Sequence, residues 1–224
     1  MGKRKETRAR SGEAGFSLIE LMVALGVTLV IMVIASRMLA MSMAVRTREN
    51  QRSEAVADAQ RALQAMTREI ANAGLGMGSN GLVAADSNDL AIRVRTNLNA
   101  FCQITTAGIA PDCDSDTADA GEDLVFSLIN NVDSAGILQT LITRQDVNNS
   151  NAVSPLANRI DSLSFKYYNS AGAQTADAAQ AQSVKIVVTV TLPAVGTSGQ
   201  AGYQPASQME VESRAVLRNL LLSQ

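Results

Sequence analysis

The chain has 224 residues, 19 basic and 21 acidic, with a formal net charge of −2. It contains no His and no Trp. The lack of His excludes a Ser–His or Cys–His nucleophilic pair and a His-containing zinc site. Carboxylates alone could still support catalysis, but no pair is singled out. We expect no enzyme, no cofactor, no metal site and no nucleic-acid partner, since nucleic-acid binding favours a basic face.

Residues 1–15 are polar and lack hydrophobic periodicity, which is typical of a leader and not of a folded segment. Five residues are basic and two acidic, namely Lys3, Arg4, Lys5, Arg8, Arg10, Glu6 and Glu13. Removal of residues 1–15 leaves 14 basic and 19 acidic residues, a net charge near −5. The basic excess predicts a cytoplasmic N-terminus by the positive-inside tendency.

The stretch Gly15–Ser36 contains a run of about twenty residues with Glu20 as its single charge, and its length suits a membrane-spanning helix. It is too long for the core of a secretory signal, and no Ala-x-Ala-like cleavage site follows it. An acid within a membrane helix is costly, so Glu20 predicts a function that needs a counter-charge. Cleavage between Gly15 and Phe16 would create an α-amino group one helical turn away. An ordinary signal anchor that merely tolerates Glu20 is the alternative.

Residues 15–21, GFSLIEL, resemble the prepilin signature of type IV pilins and type II secretion pseudopilins. In that family a membrane peptidase cuts after the Gly and N-methylates the new N-terminal Phe. The resemblance implies that Gly15 ends the leader, that Phe16 is the methylated N-terminus and that Glu20 is the assembly glutamate. It also implies a pilin fold, in which a long N-terminal helix packs on a C-terminal antiparallel β-sheet domain (class α+β).

Helical signals continue beyond the apolar run. Val56, Ala59, Leu63, Met66, Ile70 and Ala73 recur at spacings of three and four, which predicts one apolar helix face. No Pro interrupts residues 16–73, and glycines at 74, 76 and 78 should end the helix, giving nearly sixty residues or roughly 85 Å. The stripe is too short for a typical free coiled coil, so we favour packing on the chain's own sheet. The predicted segments are leader 1–15, membrane and assembly half 16–37, amphipathic half 38–74 and globular domain 75–224.

The remaining pattern predicts strands at 90–95, 124–129, 136–144, 160–168, 183–192 and 210–219, paired in antiparallel fashion. A turn is expected at 130–134, and loops at 173–182 and 194–207. Arg93, Arg95 and Lys185 are expected on solvated strand faces. Most of the few aromatic residues should lie in the core.

An acidic segment lies between the first two predicted strands. Its carboxylates are Asp112, Asp114, Asp116, Asp119, Glu122 and Asp123. Oxygen ligands at alternate positions suit calcium, but an EF-hand would require Gly at Thr117 and Glu at Asp123. We favour a solvated loop closed by a disulfide between Cys102 and Cys113, which suits an oxidising compartment.

The segments at 159–172 and 213–220 are similar to those of W-type minor pilins and of the J-type pseudopilin of type II secretion. The resemblance implies a filament subunit, a minor pilin that helps initiate type IV pilus assembly near the tip, or alternatively a J-type pseudopilin. Its partners would be other pilins, the prepilin peptidase, the inner-membrane assembly platform and membrane lipid. It would sit in the inner membrane with a periplasmic C-terminal domain before entering the filament. A membrane-anchored periplasmic enzyme or binding protein is the alternative from another class.

Overall fold

The computed structural model describes residues 15–84, 89–100, 114, 116–132, 136 and 138–219. Helix α1 spans Leu18–Ala71, 54 residues, or about 81 Å at 1.5 Å per residue. Every described side chain before Ala44 is exposed. The buried helical residues all lie in the second half: Ala59, Ala62, Leu63, Met66, Ile70 and Ala71. The expected apolar stripe is therefore confirmed as a packing face, although Val56 is only half-buried.

The helix begins two residues after Phe16 and ends three residues before the first of the predicted terminating glycines. At the start, Ser17 is extended, with φ −71° and ψ 140°. At the end, Gly74 adopts φ 76° and donates its N–H to the Arg95 carbonyl at 2.9 Å. A Cβ there would lie 2.4 Å from the Ser79 carbonyl oxygen, so only glycine fits. The chain leaves the helix early because its backbone joins the sheet at this point.

The strands form two antiparallel sheets, which confirms the expected antiparallel pairing. The first has the order β1-β2-β3-β4-β5 and the second β7-β6-β8-β9, with a 3-10 turn at Ala178–Gln180 before β8. Their bounds are β1 Leu82–Ala84, β2 Ala91–Arg95, β3 Asp123–Val132, β4 Leu138–Asp146, β5 Ala152–Asn158, β6 Ser162–Tyr168, β7 Gln174–Thr175, β8 Ser183–Leu192 and β9 Ser207–Val216.

Three strands were missed, and several predicted boundaries differ from the observed ones, most of all in β3 and β9. Strand β5 has no clean alternation and contains Pro155, which is tolerated because β5 is an edge strand. Strands β1 and β7 have only three and two residues, so they carry little pattern. Strand β3 continues to Val132 in pairing with β4, through the first part of the expected turn. Strand β9 starts at Ser207, three residues earlier than predicted, because it pairs along the whole of β8.

The core lies between the second half of α1 and the two sheets. The helix contacts β9, β8 and β5, and its stripe joins one cluster with side chains of both sheets. Phe126, Phe165 and Tyr167 are among the largest fully buried side chains, which confirms that these aromatics belong to the core. Phe101 lies outside the described residues.

The C-terminal segment closes the end of the helix. Asn219 Nδ2 donates to the carbonyls of Asn72 and Ala73, each at 2.9 Å, and Arg218 N–H donates to the Ala71 carbonyl at 3.1 Å. Ala71 is the last helical residue, whose carbonyl has no intrahelical donor, and Asn72 and Ala73 follow it directly. The segment that follows the last strand is therefore bonded to the end of α1, whose buried residues all lie in its second half.

Candidate assembly segment

The first turn of α1 presents Glu20 next to an extended N-terminal segment. The backbone N–H groups of Glu20 and Leu21 donate to the Ser17 carbonyl at 3.0 and 3.1 Å. Phe16 and Glu20 are both exposed, and a Cβ at Gly15 would meet nothing within 4 Å. The fold therefore places no steric demand on Gly15, and a need for glycine there would come from outside the folded chain.

The apolar part of α1 is fully exposed in the isolated subunit. Thirteen large apolar side chains between Leu18 and Ile34 are each at least 53% exposed. This is the one described helix long and apolar enough to cross a membrane. It runs without interruption through Gly26, whose Cβ position is open. A surface of this kind requires lipid or other apolar helices around it.

The described part of the acidic segment uses its carboxylates internally. Glu122 is only 1% exposed and accepts the N–H groups of Leu98 at 2.6 Å and Asp119 at 3.1 Å. Asp114 and Asp116 each accept a backbone N–H two residues further on, at 3.2 and 2.8 Å. Among the described residues, no group of three or more potential metal ligands is close enough to hold an ion. Cys102, Asp112 and Cys113 lie outside the described residues.

Asp123 links this segment to strand β2. It forms a bidentate ion pair with Arg93 and lies 3.3 Å from Arg95 Nε. The hydrogen bond to Asp123 raises the pKa of Arg93 above its usual value. The negative charge of Asp123 contributes a smaller increase, and burial acts in the opposite direction. The expectation that Arg93, Arg95 and Lys185 are merely solvated is therefore incomplete, since Lys185 also pairs with Glu212, at 2.6 Å.

Arg48 forms a clamp between the helix and the end of the second sheet, which the sequence did not predict. Its guanidinium donates to the carbonyls of Leu192, Pro193 and Pro205 at 3.3, 2.5 and 2.8 Å, and to Ser207 Oγ at 2.6 Å. All four acceptors lie at the ends of β8 and β9 and of the loop joining them. Carbonyl acceptors occur at every residue, so no sequence pattern could have identified this contact.

A small cavity lies just above the clamp, between the helix and both sheets. It has a volume of about 170 Å³ and is lined partly by Gln51, Glu54, Asp58 and Arg159. Small-molecule sites typically have volumes of roughly 300–1,000 Å³. This cavity is smaller than that range.

These features define a protein with one apolar N-terminal helix that is long enough to cross a membrane and a globular α+β head. Residues 10–36 match the family model described as the prokaryotic N-terminal methylation motif. The motif is that of type IV pilins and pseudopilins, and the chain shares their architecture of a long apolar N-terminal helix packed on antiparallel sheets. The motif points to a structural subunit that assembles with other pilins, not to an enzyme. Neither a curated protein nor a solved structure matches the chain significantly.

Proposed function

We propose that this protein is a minor pilin, a subunit that helps initiate a type IV pilus or lies near its tip. In this proposal the peptidase cuts between Gly15 and Phe16 and methylates Phe16. The apolar half of α1 then anchors the subunit in the inner membrane, with the globular part in the periplasm. The observation that carries the proposal is the exposed apolar helix with a methylation motif at its start.

The cost of leaving this helix in water supports a function in assembly. Burying one large apolar side chain is worth about 1.5–3 kcal/mol, and thirteen are exposed between Leu18 and Ile34. Together they amount to about 20 kcal/mol or more, above the 5–15 kcal/mol net stability of a typical domain. The helix must therefore be covered at all times. Lipid and a bundle of neighbouring helices are both apolar, so transfer from one to the other need not forfeit this burial.

Glu20 would define the register within the bundle. An unpaired carboxylate is costly among apolar helices, and the amine of a cleaved Phe16, in the same subunit or in a neighbour, would neutralise it. Removing one partner of a buried ion pair typically costs about 3–5 kcal/mol. A charge pair of this kind specifies how subunits align more than it increases stability.

Processing is tested by intact-mass analysis of the membrane-extracted protein. We expect loss of residues 1–15 and one added methyl group. Gly15→Val should block cleavage while leaving the melting temperature unchanged, because its Cβ position is open. Gly12→Val, in the same leader, is the matched control and should be cleaved normally. A mature protein that still begins at Met1 would refute the family function.

Assembly is tested by the fraction of subunit found in sheared filaments relative to membranes. Glu20→Leu should remain inserted and cleaved but enter filaments poorly, whereas Glu20→Asp should be milder because it keeps the charge. Glu49→Leu changes an exposed acid further along the same helix and should assemble normally. Normal incorporation of Glu20→Leu at a position with neighbours on both sides would contradict the charge-pair mechanism, although a subunit at the very tip could tolerate it.

The motif fits a J-type pseudopilin equally well, and the same preparation separates the two functions. A minor pilin would be found in surface pili. A pseudopilin would be absent from them, and its deletion would stop secretion of type II substrates. Either outcome retains assembly as the mechanism.

A further inference from the structure

The loop that joins β8 to β9, residues 193–206, descends along the helix toward its membrane half. Residues Gly199, Gln200 and Ala201 line one open cleft together with Ser36, Arg37 and Ala40. Gly202 lies against the helix itself, because a Cβ there would be 3.1 Å from both the Ala40 carbonyl oxygen and Met41 Cα. The tip of the loop thus lies level with the first residues beyond the apolar run.

The loop is held in this position at both ends. Arg48 binds its base through the carbonyls of Pro193 and Pro205. Val195 and Gln204 exchange two backbone hydrogen bonds, each 2.9 Å long, which extends the ribbon beyond the strands. Gly202 then packs on the helix backbone with φ 86°, a conformation that favours glycine. These contacts fix the height of the tip along the helix axis.

That height coincides with the lipid headgroup layer. The run of residues 16–35 is roughly 30 Å long at 1.5 Å per residue, equal to the hydrocarbon thickness of a bilayer. Ser36 to Ala40 then lie roughly 1.5–7.5 Å beyond the hydrocarbon boundary, and each headgroup layer is roughly 5–7 Å thick. Arg37 is the first charged residue after Glu20, which suits anchoring at the phosphates.

The chemistry of the loop also fits headgroups. Residues 193–206 contain no charged side chain, so no charge must be desolvated at the surface. Thr197, Ser198 and Gln200 are exposed and can donate to phosphate or ester oxygens. Tyr203 is half-buried, and tyrosine is enriched at membrane–water interfaces because its ring is apolar and its hydroxyl polar.

We propose that the tip of this loop, residues 197–203, forms with Arg37 a surface that contacts phospholipid headgroups while the subunit is anchored in the membrane. The proposal rests on the membrane anchoring in the proposed function. It gives the globular part a defined orientation on the bilayer before assembly. Entry into a filament would require these headgroup contacts to be broken.

The absence of Trp from the chain allows a direct test by depth-dependent fluorescence quenching. Three full-length single-Trp variants would be reconstituted in vesicles of phosphatidylcholine and phosphatidylglycerol that carry spin-labelled lipid. Gln200→Trp probes the loop tip. Ser170→Trp is the matched control, in an exposed turn at the opposite end of the second sheet. Leu25→Trp reports on insertion of the apolar helix.

We expect a headgroup-labelled lipid to quench Gln200→Trp several-fold more than Ser170→Trp, and an acyl-chain label to quench Leu25→Trp. In the double variant Gly202→Val/Gln200→Trp, quenching by the headgroup label should fall to the level of Ser170→Trp, because the Val side chain cannot pack against the Ala40 carbonyl. Equal quenching at positions 200 and 170, with Leu25→Trp strongly quenched, would overturn the headgroup contact alone. Stronger quenching of Gln200→Trp by the acyl-chain label would also overturn it. A Leu25→Trp that is not quenched would overturn the membrane anchor and this inference together.

Discussion

Replacement of Arg48 tests whether the clamp holds the β8–β9 loop against the helix. Arg48→Ala removes four hydrogen bonds, three of them to exposed acceptors. A buried hydrogen bond to a charged group contributes about 1.5–3 kcal/mol, but water replaces the lost donor at exposed acceptors, so about 0.5–1 kcal/mol each is the better estimate. The clamp is then worth about 2–4 kcal/mol, so its loss raises the opening equilibrium of the loop by about 30- to 900-fold.

The assay is native-state hydrogen exchange at the amides of Val195 and Gln204, which are bonded to each other's carbonyls. We expect both amides to exchange faster in Arg48→Ala, with global stability changing less because the core stripe begins further up the helix. Arg46→Ala, an exposed arginine two residues earlier, is the matched control and should leave both amides unchanged. Unchanged exchange in Arg48→Ala, or equal acceleration in Arg46→Ala, would refute the clamp.

Two further predictions concern the segment between β2 and β3. Non-reducing peptide mapping of protein from the cell envelope should find Cys102 bonded to Cys113, with a loop-closure stabilisation of about 2–3 kcal/mol; two free thiols would contradict this. Glu122→Ala should leave the Leu98 and Asp119 N–H groups without their acceptor and lower the free energy of unfolding by about 2–4 kcal/mol. Chemical denaturation measures this loss. If Glu122→Ala lowers the free energy of unfolding no more than Asp116→Ala does, the buried position of Glu122 does not increase its contribution to stability.

The interaction between Arg93 and Asp123 illustrates how the fold alters a correct local prediction. Alternation of apolar and polar residues predicted strand β2 and put Arg93 on its polar face. Pairing with β3 then placed Asp123 opposite Arg95 and diagonal to Arg93, and the ion pair left Arg93 half-buried instead of solvated. Hydropathy shows which face a side chain occupies, but only the strand register shows what lies opposite.

The sequence by itself determined the features that depend on neighbours along the chain. The motif at residues 10–36, the long helix, its apolar stripe and most strands follow from local periodicity and from residue types with restricted conformations. Only the tertiary structure decided the division into two sheets, the edge strand β5 with its Pro155, and the clamp of Arg48 on backbone carbonyls more than 140 residues away. Hydrophobic periodicity is encoded within a few turns of chain. A carbonyl acceptor is present at every residue, so which one an arginine meets depends on how the elements pack.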